Sequence, residues 1–223
     1  MVKKSEESSL DNGLKRLAKT SVFIFIGIFL SKIFGFVYRI IIAKYYGPEI
    51  YGVFTLSLMV LGIFVAFSSL GLNQGLIRFI PRHRAKNQKD EIRSLFQSSF
   101  KIVLITSFIA GIILFFFASF IAENIFHNLE LIIFLKFFAL AIPLTVILEI
   151  FLSLFISYER VATYTFLYKI LVGFLKIFLL WIFIFLGLSY LSIIFSYLLA
   201  FVLILILTLL LCKLKFFRFI FGF

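Results

Sequence analysis

The amino-acid sequence predicts an all-α integral membrane protein with about six transmembrane helices. Of its 223 residues, 63% are hydrophobic and only 14% are charged, and the mean hydropathy is +1.18. A surface of this composition is too apolar to face water. Because a helix needs roughly 20 apolar residues to cross the hydrocarbon layer, the length leaves room for about six spans and for no separate aqueous catalytic domain.

The apolar stretches are typical of helices rather than of barrel strands. A transmembrane strand alternates apolar with polar residues, whereas the stretches here are continuously apolar. Phe supplies 34 residues and Pro only three. Long lipid-facing helices suit this composition, because all of their backbone hydrogen bonds are internal.

Clusters of charged residues divide the apolar sequence into six predicted spans. The predicted spans cover residues 20–44, 50–77, 95–122, 131–157, 164–187 and 190–212. We therefore predict a cytoplasmic N-terminal tail (residues 1–19), a six-helix transmembrane lobe (residues 20–212) and a basic, aromatic cytoplasmic tail (residues 213–223). The first thirteen residues are polar and no small-residue cleavage site follows them, so we expect no removable signal peptide.

The distribution of basic residues predicts the orientation of these spans. Lysine and arginine concentrate before the first span, in the second and fourth loops, and after the sixth span. The three opposite loops contain one lysine and three glutamates, namely Lys44, Glu49, Glu123 and Glu130. Because cytoplasmic loops are enriched in lysine and arginine, we expect a multi-pass protein of the cell (plasma) membrane with its N-terminus and C-terminus in the cytoplasm.

Several functional classes do not fit this sequence. The net charge of +12 resides mainly between apolar stretches, where it sets topology and contacts anionic headgroups, so we expect no nucleic-acid partner. Cys212 is the single cysteine, and His83 and His127 have no companions at metal-ligand spacing. No catalytic set or phosphate-binding glycine-rich loop is evident, so we expect neither an enzyme nor a cofactor. The basic segment 81–93 is interpreted as a solvated loop, with a short amphipathic element at the membrane surface as the alternative.

Ionisable residues inside the predicted spans are the candidates for function, since each costs about 2.5–3.5 kcal/mol to insert. Lys32 and Arg39 are seven residues apart in the first span, and Lys169 and Lys176 repeat this spacing in the fifth. Seven residues is close to two helical turns, so each pair occupies one helix face. Turned inward, these faces would form a cationic cavity wall that attracts an anion such as a lipid-borne diphosphate.

Two features of these spans leave alternatives open. Lys169 and Arg39 are also close enough to the two interfaces to extend their side chains into them, which would leave only Lys32 and Lys176 deep in the bilayer. Glu149, in the fourth span, is a candidate either for charge balance against a lysine or for binding a coupling proton or cation. Pro143, in the same span, is expected to kink the helix.

The first hairpin carries a family resemblance. The stretch SKIFGFVYRIIIAKYYGPEIYGVFTLSLMV, followed by SSLGLNQGLIRFIPRH, resembles the polysaccharide-biosynthesis and oligosaccharide-flippase family of the multidrug, oligosaccharidyl-lipid and polysaccharide exporter superfamily. The matching elements are the helix end at Ala43 to Gly47, the start of the second helix at Tyr51-Gly52, and the segment from Gly71-Leu72 to Arg78. The pair Tyr45-Tyr46 before Gly47 departs from the leucine-glycine pairing common in the family.

The resemblance implies a fold, a function and partners. Members of this family have two six-helix lobes that face each other across a central cavity and move lipid-linked sugars by alternating access. This chain resembles the N-terminal lobe, and Lys32 and Arg39 match positions where such flippases place cations toward the lumen. The implied partners are the lipid bilayer, a lipid-linked oligosaccharide or polysaccharide precursor, and a second six-helix lobe from a separate chain or a second copy.

The hypothesis for function is therefore a flippase or exporter, with Lys32, Arg39, Lys176 and Lys169 as substrate-binding residues. One alternative is half of a multidrug-extrusion cation antiporter, which would need acidic residues in its lumen. Another is a nontransporting membrane scaffold or an inactive remnant. For the length of the chain we expect a fragment, although a separately encoded half and a homodimer remain open.

Overall fold

In the computed structural model, the backbone of residues 2–220 is described, together with the side chains of residue 18 and of residues 20–214. Every regular element in this range is helical, and the predicted all-α fold class is confirmed. The α-helices are α1 (Val2–Ser69), α2 (Leu72–Ala85), α3 (Lys89–Phe120), α4 (Leu131–Ser157), α5 (Val161–Tyr164), α6 (Val172–Phe185) and α7 (Leu191–Ile220). A π-helical turn, Ile121–Ile125, extends α3, and a π-helical segment, Thr165–Leu171, joins α5 to α6.

Five segments of this helical chain are long and apolar enough to cross a membrane. They are Thr20–Ser69, Lys89–Ile125, Leu131–Ser157, Val161–Phe185 and Leu191–Leu214. The first contains 50 residues, and at about 1.5 Å per residue a straight helix of that length would be more than twice as long as the roughly 30 Å hydrocarbon layer is thick. By the composition of its helices, the chain is a multi-pass membrane protein.

The first segment is folded into a hairpin at Gly47. Gly47 has a φ of 86° and a ψ of 166°, outside the helical region and accessible mainly to glycine. The rings of Tyr38 and Phe54 lie only 5.9 Å apart across this break, whereas sixteen residues of straight helix would separate them by about 24 Å. Helix α1 therefore has two arms, residues 20–46 and 48–69, and Pro48 begins the second arm, where its missing N–H needs no helical partner.

The predicted second span, residues 50–77, is not a single helix. Helix α1 ends at Ser69, and Leu70 and Gly71 have positive φ values of 47° and 69°. Helix α2 then begins at Leu72. Two consecutive left-handed residues interrupt the helical hydrogen bonds, and the apolar composition of the segment carries no sign of this break.

The predicted solvated loop at residues 81–93 is also largely helical. Helix α2 continues to Ala85 and α3 already begins at Lys89, so a short turn connects them. Leu76 and Ile80, one turn apart on α2, are fully buried in the bundle. The apolar side of α2 thus packs into the protein, while its basic side remains exposed.

Helix α4 is the centre of the bundle. In the most apolar 18 residues of α4, 56% of the residues are buried, whereas in those of Val161–Phe185 only 22% are buried. Phe138 on α4 contacts Phe54 and Tyr197, with ring centroids 6.2 Å and 5.1 Å apart, and so joins α1 to α7. The sequence places apolar residues all round α4, which is the pattern of a helix enclosed by neighbours.

Helices α3 and α4 are in close contact at Gly111. A methyl group added to Gly111 would lie 2.9 Å from the carbonyl oxygen of Ala139, which is closer than a carbon atom can approach. Ala139 is four residues before Pro143, whose missing N–H leaves that carbonyl without its usual helical partner. Pro143 does not end α4, and the exposed carbonyl faces the glycine instead.

Candidate functional site

The described part of the chain contains two adjoining cavities between the first arm of α1 and the α5–α6 segment. One has a volume of about 550 Å³ and the other about 290 Å³. Both are lined by Ser31, Gly35, Arg39 and Lys169. We call the joined space the cationic cavity.

The first arm of α1 supplies one wall of the cationic cavity. Lys32 and Arg39 both line it, as their seven-residue spacing on one helix face predicts. Both side chains are exposed in the lobe, so this wall opens away from the bundle. The structure thus brings together the two cations of the first predicted pair.

The opposite wall comes from the π-helical segment and α6. Lys169 lies on the π-helical segment and Lys176 on α6, and both line the cavity of about 290 Å³. The Lys169 ammonium group is 5.3 Å from the centre of the Tyr168 ring. The second predicted pair therefore faces the same space as the first. The π-helical geometry between them was not predicted, and such turns are frequent at functional sites.

Lys176 is held by aromatic rings. Its ammonium group lies 3.9 Å from the ring centre of Tyr197 and 4.8 Å from that of Phe201, both on α7. Aromatic faces attract a cation most strongly where water is excluded. These rings stabilise the charge of Lys176, which has no ion-pair partner among the residues that the structure describes.

Close helix contacts hold the two walls in register. A methyl group on Gly173 would lie 2.8 Å from Cβ of Phe34, and one on Gly27 would lie 2.2 Å from Cγ2 of Thr165. Small residues at such positions let helices approach closely in membranes. The cavity between these contacts is therefore a built feature of the α1 arm against the α5–α6 segment.

The first arm is also fixed to α7 by a buried hydrogen-bond group. The hydroxyl of Tyr38 lies 3.0 Å from Oγ of Ser196 and 3.3 Å from the carbonyl oxygen of Ile193. Tyr38 is 5% exposed, and Ser196 is fully buried. Satisfied polar groups in an apolar interior fix the relative position of two helices.

Glu149 lies apart from the four cations, in a separate cavity of about 140 Å³. Nδ2 of Asn73 donates to its Oε2 at 3.3 Å, and the Tyr168 hydroxyl donates to its Oε1 at 3.5 Å. Within the described residues, no lysine or arginine lies within ion-pair distance of this carboxylate. A direct ion pair with a lysine of the cationic cavity is thus not formed.

Tyr168 connects the two sites, because it lines both the cavity around Glu149 and the cationic cavity. The sequence analysis did not identify Tyr168, Asn73 or Tyr197. Each is an ordinary residue in its own helix, and only packing between helices brings it to the site.

The arrangement suits binding of an anion. Four cations approach the cationic cavity, and neither part of it is lined by Asp or Glu among residues 20–214. Such a wall attracts phosphate oxygens, and the planar guanidinium of Arg39 can donate two parallel hydrogen bonds to them. The residues contain no nucleophile and base arranged for catalysis.

Fold and site together describe a polytopic helical membrane protein with a cavity lined by four basic side chains. The chain belongs to the polysaccharide biosynthesis protein family, whose sequence model matches residues 17–223. The resemblance found in the first hairpin thus extends over nearly the whole chain and is confirmed. This family acts in polysaccharide biosynthesis and export, and its members are generally transporters rather than enzymes. No curated protein and no solved structure matches this chain.

Proposed function

We propose that this chain is the N-terminal lobe of a flippase that moves a lipid-linked oligosaccharide or polysaccharide precursor across the membrane by alternating access. The observation that carries the proposal is the convergence of Lys32, Arg39, Lys169 and Lys176 on one cavity. A saccharide carried on a polyprenyl diphosphate has its negative charge at the junction of sugar and lipid. A cationic wall beside the lipid phase fits that junction.

The four cations have different proposed roles. Lys32 and Arg39, on the exposed wall, make the first contacts with the diphosphate. Lys169 and Lys176, on the opposite wall, complete its binding from the other side. Because their charges are costly within an apolar bundle, a bound anion would offset part of that cost.

The open side of the cationic cavity is the proposed contact with a second six-helix lobe. Lys32 and Arg39 are exposed there, and large apolar side chains such as Phe29 (58% exposed) and Phe36 (65% exposed) surround them. The second lobe is either a separate chain or a second copy of this one. Two lobes rocking about such an interface would expose the cavity to each side in turn.

We further propose that the N-terminus and the C-terminus face the cytoplasm. The turn between α2 and α3 and the turn after α4 lie at the same end of the bundle, since Arg84 and Glu159 form an ion pair of 3.2 Å there. That end carries most of the basic loop residues, as the cytoplasmic side does in membrane proteins. In a Cys212→Ser background, a cysteine at His127 should react with an impermeant thiol reagent in intact cells, and one at Lys86 should not. The reverse pattern would contradict this orientation.

The binding proposal is tested with the full chain in lipid nanodiscs and a fluorescent polyprenyl diphosphate as the probe. We expect the double variant Lys32→Gln, Arg39→Gln to bind it about 100-fold more weakly, roughly 1.4 kcal/mol for each lost charged contact. Lys136→Gln is the matched control, because Lys136 also lies in a span but contacts the Phe115 ring away from the cavity. Equal binding by the double variant and the control would contradict the proposal.

Transport itself requires a second assay. In proteoliposomes, a fluorescent polyprenyl-diphosphoryl saccharide should become accessible to an external quencher at a rate that falls in the double variant and not in Lys136→Gln. If the probe binds but does not cross, the chain is a binding scaffold or requires its second lobe. Co-reconstitution with a candidate second lobe then distinguishes these two outcomes.

A further inference from the structure

The cavity around Glu149 has no role in the binding of the diphosphate, yet it contains a carboxylate inside a transmembrane helix. Glu149 lies on α4 and faces the α5–α6 segment. A carboxylate at such a depth is costly and is retained where it has a function. Its hydrogen-bond partners indicate which ligand fits it.

The Glu149 carboxylate accepts hydrogen bonds from two side chains, Asn73 and Tyr168. Oδ1 of Asn73 accepts from the backbone N–H of Gln74 at 2.8 Å, which fixes the amide so that its Nδ2 points at the carboxylate. The Tyr168 hydroxyl donates from the other side. A metal cation at this carboxylate would meet the positive ends of an N–H and an O–H dipole, whereas a proton on Oε1 leaves the Asn73 hydrogen bond in place and only reverses the one with Tyr168. The geometry therefore favours a proton over a sodium ion.

The surroundings of Glu149 allow both its charged and its neutral form. The two donors favour the carboxylate, and the apolar side chains of Ile77, Leu152 and Ile156 around the cavity favour the protonated acid. The titratable and charged groups that act on it are Tyr164, Tyr168 and Lys169 from the α5–α6 segment and Tyr197 from α7, while α2 contributes the uncharged Asn73. Of these groups, Lys169 also lines the cationic cavity.

We propose that the cavity around Glu149 is a proton-binding site, coupled through Tyr168 and Lys169 to anion binding in the cationic cavity. The coupling rests on the proposed function, whereas the proton site does not. A hydronium ion transfers its proton to Oε1 of the carboxylate and leaves as neutral water, so that one O–H bond breaks, another forms on Oε1, and the carboxyl group loses its negative charge. The Tyr168 hydroxyl then loses its charged acceptor and becomes the acceptor itself.

Protonation also changes the electrostatic potential of the cationic cavity. The negative charge of Glu149 acts on Lys169 and opposes a second negative charge bound nearby. When that charge is neutralised, the cavity binds an anion more tightly, and a bound anion in turn favours the protonated acid. The two effects are equal by linkage, so proton and anion bind with positive cooperativity.

The proton site is tested first and without any substrate. In infrared difference spectra of the full chain in nanodiscs, we expect a protonated-carboxyl band that grows as the pH is lowered and is absent in Glu149→Gln. Replacing choline chloride by sodium chloride should not move it. A carboxyl that stays ionised throughout, or one that sodium displaces, would overturn the proton site.

The coupling is tested with the polyprenyl diphosphate probe, and Glu149→Gln corrects for titration of the probe itself. We expect the wild type to bind as tightly as Glu149→Gln at a low pH where the infrared band is fully developed, and at least about fivefold more weakly than Glu149→Gln at a high pH where the band is absent. An equal ratio of wild-type affinity to Glu149→Gln affinity at both pH values would overturn the coupling. If the wild type binds no probe at any pH, the proposed function and the coupling both fail, while the infrared result still decides the proton site.

The role of Tyr168 is tested by Tyr168→Phe. This variant should keep the infrared band of Glu149 and should lose part of the difference in binding between the two pH values, while the direct effect of the Glu149 charge on Lys169 remains. Tyr190→Phe is the control, because Tyr190 lies beside Phe134 and away from both cavities. A full pH difference in Tyr168→Phe would show that the coupling does not pass through Tyr168.

Discussion

Two helix contacts in this molecule both depend on glycine residues, but they differ in the side chains that surround the glycines. Between α3 and α4, Gly111 lets the helices meet over an apolar surface. Between the first arm of α1 and the α5–α6 segment, Gly173 and Gly27 also allow close approach, yet the space between them contains four cations. The first contact borders an apolar cavity of about 160 Å³. The second borders a cavity lined by basic side chains.

The difference shows where this lobe can tolerate change. The α3–α4 contact is dense and aromatic, and the Phe96, Phe100 and Phe151 rings lie within 5.5–6.2 Å of one another. Substitutions there should affect stability and leave ligand binding to the folded protein intact. In the cationic cavity we expect the opposite, because a basic side chain inside a helical bundle is costly and, under the proposed function, contacts the ligand.

The largest effect is expected from Gly111→Leu. The new side chain would overlap the Ala139 carbonyl, which is backbone and cannot move aside, so the free energy of unfolding should fall by about 3 kcal/mol. Gly62→Leu is the matched control, because nothing lies within 4 Å of a methyl group added there. Denaturant titration in micelles measures both. Equal losses would show that α3 and α4 are not closely packed at Gly111.

Lys176→Met should separate function from stability. Removing the ammonium group should weaken binding of the polyprenyl diphosphate about tenfold, or roughly 1.4 kcal/mol. The same change should leave the free energy of unfolding unchanged or raise it by about 1 kcal/mol, because the desolvation cost of the charge exceeds its attraction to the Tyr197 and Phe201 rings. Lys136→Met serves as the control for binding. A loss of stability without a loss of binding would show that Lys176 stabilises the fold and does not contact the ligand.

Tyr38→Phe tests how the first arm of α1 is held in place. The variant removes the buried hydroxyl that lies 3.0 Å from Ser196 Oγ, and we expect the free energy of unfolding to fall by about 1 kcal/mol. Tyr45→Phe provides the comparison, since Tyr45 is 53% exposed. If both variants are equally stable, the hydroxyl of Tyr38 does not anchor the arm to α7.

The smallest effect is expected at the rim of the bundle. The ion pair between Arg84 and Glu159 is exposed, so Arg84→Gln should lower the free energy of unfolding by no more than about 0.5 kcal/mol. The difference should vanish in about 1 M salt, where charges are screened within roughly 3 Å. Arg82→Gln is the control. An effect that persists at high salt would mean that packing of Arg84 over the Tyr158 ring dominates.

Some predictions from the sequence agree with the structure because they depend on composition and local geometry. The fourth predicted span, residues 131–157, coincides with α4, and the expected turn occurs at Gly47. The shared faces of Lys32 with Arg39 and of Lys169 with Lys176 likewise follow from helical spacing. The break at Leu70 was missed, and for residues 81–93 the structure lies closer to the less favoured alternative, a short amphipathic element. The apolar composition of residues 50–77 carries no signal of a break, so hydropathy alone joined two helices into one span.

The sequence by itself determined the all-α membrane fold and the family, because hydropathy and residue spacing act along a single helix. Only the tertiary structure decided that Arg39 and Lys169 share a cavity, that aromatic rings surround Lys176, and that Glu149 meets Asn73 and Tyr168. These contacts join helices that are distant in sequence. They arise from close helix approach at a few glycines and from the turn at Gly47. The sequence of a single helix does not show which residue of another helix it contacts or at what distance.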